Sequence, residues 1–253
     1  MHQSPGPAIH KAPSGSRVYA IGDIHGRSDL LRRLHAMILA DAAPGSPDSP
    51  DSGALRKVVV YVGDYVDRGP DGAGVIDILI NQPLEGFESH PLKGNHEDMM
   101  IRFLESGEGG DMWLFNGGRD TLQSYGIEFS DMSLYLSEPE ALAPVFRDAV
   151  PPSHRAFLDG LAIHHREGDY LFVHAGIRPG VALEDQSEQD LIWIRDKFTG
   201  SDADFGAIVV HGHSIRAEPE IKPNRIGIDT GAWRSNRLTA LVLEGDTRRF
   251  LQT

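Results

Sequence analysis

Five short motifs of acidic, amide and imidazole residues recur along the sequence, each beside a glycine and after a largely apolar run. In chain order they are Gly22-Asp23-Ile24-His25-Gly26, Gly63-Asp64-Tyr65-Val66-Asp67-Arg68-Gly69, Gly94-Asn95-His96-Glu97, His174-Ala175-Gly176 and His211-Gly212-His213. Carboxylate, amide oxygen and imidazole are the groups that hard and borderline divalent metals bind. The glycines allow the backbone to turn sharply and approach closely. The motifs therefore indicate a metal centre assembled from several loops.

The spacing within the first two motifs suggests how such a centre is shared between ions. Asp23 and His25 lie two residues apart on a segment that we expect to be extended after a strand, so both can face one ion. Asp64 has two carboxylate oxygens and can bridge two ions. Two ions about 3.5–4 Å apart clamp a phosphoryl group and share an activated water. Because the chain has no cysteine, thiolate ligands and a cysteine nucleophile are excluded.

The elements that must position these motifs follow from the hydrophobic pattern. We predict strands at 17–22, 57–63, 89–93, 161–166, 170–174, 207–211, 225–229, 238–244 and 248–251, with a hairpin turn at Glu167-Gly168-Asp169. We predict helices at 28–42, 74–80, 95–105 and 186–195, and a mostly helical segment at 112–161 broken at Gly117-Gly118, Pro139 and Pro151-Pro152. The motifs then stand at strand ends, where α/β folds assemble sites.

These elements predict a mixed α/β fold with two packed β-sheets and outer helices. We expect residues 1–16 to be a flexible N-terminus, 44–53 to be a flexible loop, and 17–253 to form a single domain with a helical insert around 105–160. The formal net charge of −13 disfavours nucleic acid as a partner. Without a signal-peptide core or an apolar run of about 18 residues, we expect a cytoplasmic protein with no membrane partner.

Taken together, the five motifs resemble the metallophosphoesterase superfamily and, within it, the phosphoprotein phosphatases that include the phage lambda enzyme. Further matches lie at Met99-Met100, at Trp113-Leu114 with Asn116-Gly117-Gly118, at Trp193-Ile194-Arg195 and at Ile228-Asp229-Thr230-Gly231-Ala232. The resemblance covers about residues 17 to 244. It implies the four-layer αββα sandwich of that superfamily and a centre of two divalent ions, Mn²⁺ first, with Fe or Zn as alternatives.

The resemblance also implies a role for each motif residue. Metal ligands would be Asp23, His25, Asp64, Asn95, His174 and His213, with Asp64 as the bridge. His213 is chosen over His211 because the family's last ligand follows a glycine. His96 would be the general acid, oriented by Asp67, while Arg68, Arg195 and Asn95 would bind phosphate oxygens.

The implied reaction is phosphomonoester hydrolysis by direct attack of a hydroxide that the metal ions activate. We expect phosphorylated protein Ser/Thr as substrate, with Tyr or His also possible, or a small phosphoester. A diadenosine tetraphosphate hydrolase is the alternative, although that group tends to carry Asp where this chain has Glu97. A non-catalytic scaffold of the same fold is a third hypothesis. The sequence does not indicate an oligomeric state.

Other residues have an alternative to a site role, or no site role at all. For Arg195, the alternative to phosphate binding is an ion pair with Glu188 or Asp190. We expect Trp113, Phe115 and Tyr125 to pack within the helical segment. Arg234 and Arg237 are interpreted as surface charges, with cleft residues as the alternative. The remaining histidines have no assigned function: His2, His10, His35, His90, His154, His164 and His165.

Overall fold

The computed structural model describes residues 10–43, 55–128 and 138–253. Its strands there are β1 (Ser16–Ile21), β2 (Arg56–Tyr61), β3 (Glu88–Pro91), β4 (His164–Glu167), β5 (Tyr170–Val173), β6 (Ile208–His211), β7 (Glu220–Ile221), β8 (Arg225–Gly227), β9 (Thr239–Glu244) and β10 (Thr247–Gln252). Its α-helices there are α1 (Ser28–Asp41), α2 (Gly72–Asn81), α3 (Asn95–Ser106), α4 (Gly110–Trp113), α5 (Arg119–Ser124), α6 (Ala143–Ala149), α7 (Pro152–Asp159), α8 (Glu188–Trp193), α9 (Asp196–Thr199) and α10 (Ala232–Ser235).

The strands form two five-stranded mixed sheets. The first has the order β10-β9-β1-β2-β3 and the second β4-β5-β6-β8-β7. Strands β1, β2 and β3 run parallel, as do β5, β6 and β8, whereas β9 pairs with β1 in the antiparallel sense. The carboxyl ends of β1, β2 and β3 therefore share one edge of the first sheet, and those of β5 and β6 share one edge of the second.

Alternation along β1 shows why the sheets pack face to face. Val18 and Ala20 point into the layer between the sheets, where they meet Phe172 and Val210. Tyr19 points the other way, into a larger core between the first sheet and helices that include α1, α2 and α3. A third core, on the outer face of the second sheet, includes Leu171, Leu191 and Phe198. Helices, sheet, sheet and helices thus form four layers, as the sequence predicted.

Most predicted elements are confirmed, with shifts at their ends. Helix α2 begins at Gly72, two residues early, because Asp71 caps it by accepting a hydrogen bond from Gly74 N at 3.0 Å. The strand predicted at 161–166 begins only at His164, because Ala162 instead bridges to Leu92. The hairpin is confirmed, with Glu167 inside β4 and paired with Tyr170.

The helical segment is confirmed over 112–128 and 138–161, and 129–137 lies outside the described residues. A kink at Gly117, whose φ of 111° is not helical, separates α4 from α5 within the predicted break at Gly117-Gly118. Residues 1–9 and the predicted loop 44–53 also lie outside the described residues. The division into an N-terminal tail and one domain with an insert stays a prediction. None of the helices in the described residues is long and apolar enough to cross a membrane.

Candidate active site

All five motifs lie at the carboxyl ends of parallel strands, and their side chains meet where the two sheets face each other. Asp23 follows β1, Asp64 follows β2, and Asn95 opens α3 after β3. His174 and His213 follow β5 and β6. Each of these residues is at most 5% exposed. Burying so many titratable groups is costly unless they are paired or bind an ion, so the cluster needs an electrostatic explanation.

The loop backbone is unusual at this cluster. Six non-glycine residues among those described have positive φ, and five of them belong to the motifs: His25, Asp64, Asp67, Arg68 and His213. The segment carrying Asp23 and His25 is therefore a turn, and the expectation of an extended segment was wrong. It turns because Ile24 N and His25 N both donate to the Asp64 carbonyl oxygen, at 3.0 and 2.8 Å. Left-handed backbone at non-glycine residues is disfavoured and concentrates at functional sites.

Asp64 is the centre of the cluster. Its carboxylate oxygens lie 3.4 Å from His25 Nε2, 3.9 Å from His96 Nε2 and 3.4 Å from His174 Nε2. Its Oδ1 also accepts a hydrogen bond from His96 N at 3.1 Å. Burial alone raises the pKa of Asp64, but these imidazoles more than offset it and hold the pKa below its usual range. Asp64 thus contacts imidazoles from both halves of the cluster.

The second half of the cluster contains lone pairs that face one another. His174 Nδ1 donates to the Val62 carbonyl oxygen at 2.8 Å. A neutral imidazole has one N–H, so His174 Nε2 presents a lone pair. That nitrogen lies 2.9 Å from Asn95 Oδ1 and 3.2 Å from His213 Nδ1. His174 Nε2 and Asn95 Oδ1 both present lone pairs there, so a cation between them would satisfy both.

The carboxylates make the same demand for positive charge. Asp23 accepts from His213 N at 3.0 Å and lies beside Asp229, a third buried acid. Burial and the charges of Asp229 and Asp64 raise the pKa of Asp23 above its ordinary value. Carboxylates, an amide oxygen and imidazoles crowded in this way fit a pair of divalent cations. Asp229 received no site role in the sequence analysis, although it lies in a segment matching the family.

His96 and Asp67 form a buried pair next to Asp64. His96 Nδ1 donates to Asp67 Oδ2 at 2.6 Å. Burial alone lowers the pKa of His96, but Asp64 and Asp67 outweigh it and raise the pKa above the usual value. The ring is thereby oriented with Nε2 towards Asp64. This arrangement favours a protonated imidazole held in a fixed direction.

The helical segment holds Asp67 from the other side. Trp113 Nε1 donates to Asp67 Oδ2 at 3.0 Å, and Thr121 Oγ1 donates to Oδ1 at 2.6 Å. Asp67 N in turn donates to Thr121 Oγ1 at 2.9 Å. Trp113 is fully buried and packs against Phe103, so the expected packing is confirmed. Its indole N–H also binds Asp67, which the sequence did not indicate. The same expectation of packing was wrong for Phe115, which is 87% exposed.

Three arginines, Arg68, Arg195 and Arg216, line a cleft of about 400 Å³ beside the cluster. Arg68 Nη1 donates to His25 Nε2 at 2.8 Å, and its guanidinium lies over the Trp233 ring at 5.8 Å. Arg195 Nη1 donates to the His213 carbonyl oxygen at 3.2 Å. The two acids considered as partners for Arg195 bind elsewhere, Glu188 to Lys93 and Asp190 to Arg178. Arg68 and Arg195 thus contact the cluster directly, and Arg216 lines the same cleft.

Other residues near the cluster have structural contacts. Glu97 is fully buried and accepts hydrogen bonds from the backbone N–H groups of Gly94, Asp64 and Tyr65 at 2.7–2.9 Å. It braces the Asp64 loop and does not line the cleft. His211 points away from the ligand cluster: its Nδ1 donates to the Gly212 carbonyl oxygen and its ring packs on Phe198.

The arginines after Asp229 separate into two environments. Arg237 donates to Glu218 Oε1 at 2.8 Å on the surface, as expected for a surface charge. The Arg234 guanidinium lies 5.9 Å from the centre of the exposed Trp233 ring, and Trp233 borders the cleft.

A fold of two facing sheets with acids, amides and imidazoles at their strand ends is that of a metal-dependent phosphoesterase. The chain belongs to the calcineurin-like phosphoesterase family, whose model matches residues 16–232. It is similar to the bis(5'-nucleosyl)-tetraphosphatase PrpE of Bacillus thuringiensis, at 26% identity over 87% of this chain and 88% of that protein. It is also similar to serine/threonine-protein phosphatase 2 of Escherichia coli K12, at 29% identity over 88% of this chain and 90% of that protein.

Solved structures share the fold. One described provisionally as a diadenosine tetraphosphatase has a TM-score of 0.61 and 22% identity, covering 94% of each chain. The cold-active protein-tyrosine phosphatase of a psychrophilic Shewanella species has a TM-score of 0.57 and 16% identity, covering 97% of this chain and 82% of that one.

Proposed function

We propose that this chain is a phosphomonoesterase with two divalent metal ions, and that its substrates are proteins phosphorylated on Ser or Thr. The observation that carries the proposal is the convergence of acceptor atoms from Asp64, Asn95 and His174 without donors between them. Asp23 and His25 would hold the first ion, Asn95, His174 and His213 the second, and Asp64 both. Mn²⁺ is the ion we expect, since oxygen and imidazole ligands suit it.

When bound, the ions would supply Lewis acidity and lower the pKa of a bound water towards neutral pH. The chain's own residues then position the ester. Arg68 and Arg195, on the wall of the cleft, bind non-bridging phosphate oxygens, for which a planar guanidinium is suited. Asn95 is the third expected phosphate contact. Arg68 must first leave His25 Nε2, because that nitrogen is the one offered to the metal.

His96 would protonate the leaving oxygen. Its Nδ1 is held by Asp67, so its proton-bearing Nε2 faces the bridging carboxylate beside which the ester must lie. Replacing His96 with Asn should lower kcat about 100-fold or more. The loss should be much smaller for p-nitrophenyl phosphate than for phenyl phosphate, because nitrophenolate leaves without a proton. An equal loss on both esters would contradict the role of His96 as acid.

The choice of protein substrate is supported by the similarity to the Escherichia coli phosphatase, whose name states that activity. A second candidate is hydrolysis of dinucleoside tetraphosphates, the activity named for the Bacillus relatives. The cleft favours it, because Arg216 and Trp233 add a third guanidinium and an exposed indole to the wall that Arg68 and Arg195 line. Glu97 no longer argues against it, since this side chain holds backbone and does not line the cleft.

A side-by-side rate panel separates the two candidates. Metal-reconstituted protein should be assayed on phosphoserine and phosphothreonine peptides and on diadenosine tetraphosphate, with products separated by chromatography. We expect the peptides to be hydrolysed faster. Nucleotide products formed far faster than peptide phosphate is released would reverse the order. No turnover of any ester, together with tight binding of a protein partner, would favour a scaffold.

Variants sharpen the same panel. Arg216→Ala should slow diadenosine tetraphosphate hydrolysis more than peptide hydrolysis, because the longer phosphate chain reaches further along the cleft. Arg237→Ala is the matched control, since Arg237 pairs with Glu218 on the surface. Equal effects of the Arg216 change on both substrates would remove the cleft as support for the second candidate.

A further inference from the structure

A second cluster of metal-binding side chains lies at the seam between the two sheets. His90 is on β3, at the edge of the first sheet, and His165 and Glu167 are on β4, at the edge of the second. Since β-strand side chains alternate, His165 and Glu167 project from the same face of β4. The two strands are tied together close by, where Leu92 bridges to Ala162. None of the three residues belongs to the candidate active site.

The three side chains are already close enough to share an ion. One nitrogen of each imidazole and one carboxylate oxygen all lie within 4.8 Å of one another. The His90 and His165 rings stack at a centroid distance of 3.7 Å, and His165 Nε2 lies 3.0 Å from Glu167 Oε1. Ligands of a tetrahedral zinc ion at about 2.1 Å lie roughly 3.4 Å apart. Small side-chain rotations would therefore bring all three to bonding distance.

His90 is the part of this cluster that protein contacts leave unexplained. Its Nε2 is buried and has no hydrogen-bond partner among the described residues. A buried polar atom without a partner costs about 1–3 kcal/mol. Burial and the neighbouring His165 also lower the pKa of His90, so its ring is neutral at pH 7 and can bind a metal. A bound cation would satisfy this nitrogen.

A structural ion-pair network is the competing explanation, and it accounts for Glu167 and for His165, whose Nε2 contacts Glu167, but not for His90. Arg56 binds Glu167 at 2.8 and 3.0 Å and also reaches Glu88. Two carboxylates, Glu88 and Glu167, face this single guanidinium, which leaves a net negative charge beside the histidine pair. A cation is therefore electrostatically compatible with Arg56 in place. Among the described residues, no hydrogen bond joins Arg56 to His90 or His165.

We propose that His90, His165 and Glu167 bind a Zn²⁺ ion that links the edges of the two sheets, separately from the catalytic ions. Two imidazoles and a carboxylate favour Zn²⁺, Cu²⁺ or Ni²⁺ over Mg²⁺ or Ca²⁺. A water would complete the coordination, since His90 and His165 are only half-buried. Such an ion binds the folded state alone and so stabilises the seam.

The test is the number of zinc ions bound by the whole chain. Metal-stripped protein is titrated with Zn²⁺ by calorimetry, and tightly bound zinc is counted by mass spectrometry after gel filtration. Wild type should bind one more ion per chain than His165→Gln and than His90→Gln, which removes a ligand from the other sheet. His164→Gln is the matched control, because His164 is exposed on the adjacent position of β4 and should retain the wild-type count.

Two further measurements keep the result independent of the active site and of folding. Zn²⁺ should raise the melting temperature of wild type and of His164→Gln more than that of His165→Gln. Both seam variants, after Mn²⁺ reconstitution, should hydrolyse p-nitrophenyl phosphate at the wild-type rate, which shows that they are folded. Equal zinc counts in wild type and in the active seam variants would overturn the proposal, whether or not the proposed substrate is correct.

Discussion

The indole Nε1 of Trp113 lies 3.0 Å from Oδ2 of Asp67, the same oxygen that accepts from His96 Nδ1 at 2.6 Å. A tryptophan from the helical segment and the proposed acid from α3 thus share one carboxylate oxygen. Trp113 packs against Phe103 and Phe146, so a rigid aromatic core fixes the position of Asp67. The helical segment is therefore part of the site's support as well as a covering layer.

Replacing Trp113 with Phe should lower kcat without changing KM much. A hydrogen bond to a charged group contributes about 1.5–3 kcal/mol, which corresponds to about 10- to 100-fold in rate. The loss should be larger on phenyl phosphate than on p-nitrophenyl phosphate, because Trp113 acts through the acid. Phe115→Ala, an exposed change two residues away, should leave both rates unchanged. A Trp113→Phe variant as active as wild type would contradict this positioning role.

Glu97 should matter for stability more than for substrate choice. Its carboxylate accepts three short backbone hydrogen bonds that hold the Asp64 loop in place. Glu97→Ala leaves three buried N–H groups unpaired and should lower the free energy of unfolding by about 3 kcal/mol or more. Urea unfolding measures this, with the exposed Glu105→Ala on the same helix as control. A loss below about 1 kcal/mol would mean that the loop does not depend on Glu97.

The ligand set predicts a stepwise loss of metal. Asp23→Asn and His213→Gln should each retain fewer Mn²⁺ ions per chain than wild type, because each contributes to one proposed ion. His211→Gln, whose ring packs on Phe198 outside the cluster, should keep the wild-type metal content. Metal analysis after dialysis gives the counts. A His211 variant that loses an ion while His213→Gln keeps both would reverse the assignment.

We expect the buried His35 to cause part of the loss of stability at acid pH. Burial, followed by the charge of Arg32, lowers its pKa from 6.5 to about 4. The unfolded chain therefore binds a proton between these pKa values when the folded chain does not. The stability present above about pH 6.5 is lost as pH falls towards 4, by up to about 3 kcal/mol. Below the folded pKa both states are protonated, and this contribution changes no further.

The measurement is the free energy of unfolding of wild type and of His35→Gln at several pH values from 7 to 4.5. Gln retains an acceptor for Tyr61, whose hydroxyl lies 2.9 Å from His35 Nε2. The variant should be less stable than wild type at pH 7, and the difference should shrink as pH falls. His164→Gln, at an exposed site, should follow the wild-type curve. Parallel curves for wild type and His35→Gln would contradict this account.

The sequence predicted the fold and the motif positions because both depend on local patterns. The side chains of Val18 and Ala20 face one way along β1, and those of Tyr19 and Ile21 face the other way. Because all four are apolar, the sequence indicates a strand buried on both faces. Glycine-flanked residues placed after parallel strands of one sheet must meet at the same end of that sheet. The two-residue strand β7 escaped prediction because Glu220–Ile221 is too short to show any alternation.

What the sequence did not predict depends on contacts between distant residues. Asp229, Thr121 and the indole N–H of Trp113 reach the site only through folding, and nothing in their own segments shows their partners. The positive φ of His25 is imposed by the hydrogen bond that His25 N donates to the carbonyl oxygen of Asp64, 39 residues later in the sequence. The His90–His165 pair likewise joins two sheets that no local pattern connects.

The most direct test of the central claim couples metal content to phosphate release in one protein. Metal-stripped chain is reconstituted with increasing Mn²⁺, and p-nitrophenyl phosphate hydrolysis is measured beside Asp64→Asn treated identically. We expect no turnover without metal, activity that saturates as the second active-site ion binds, and at least a 100-fold loss in the variant, because it weakens the proposed bridging ligand. Full activity in the metal-stripped chain, or in Asp64→Asn, would contradict that claim.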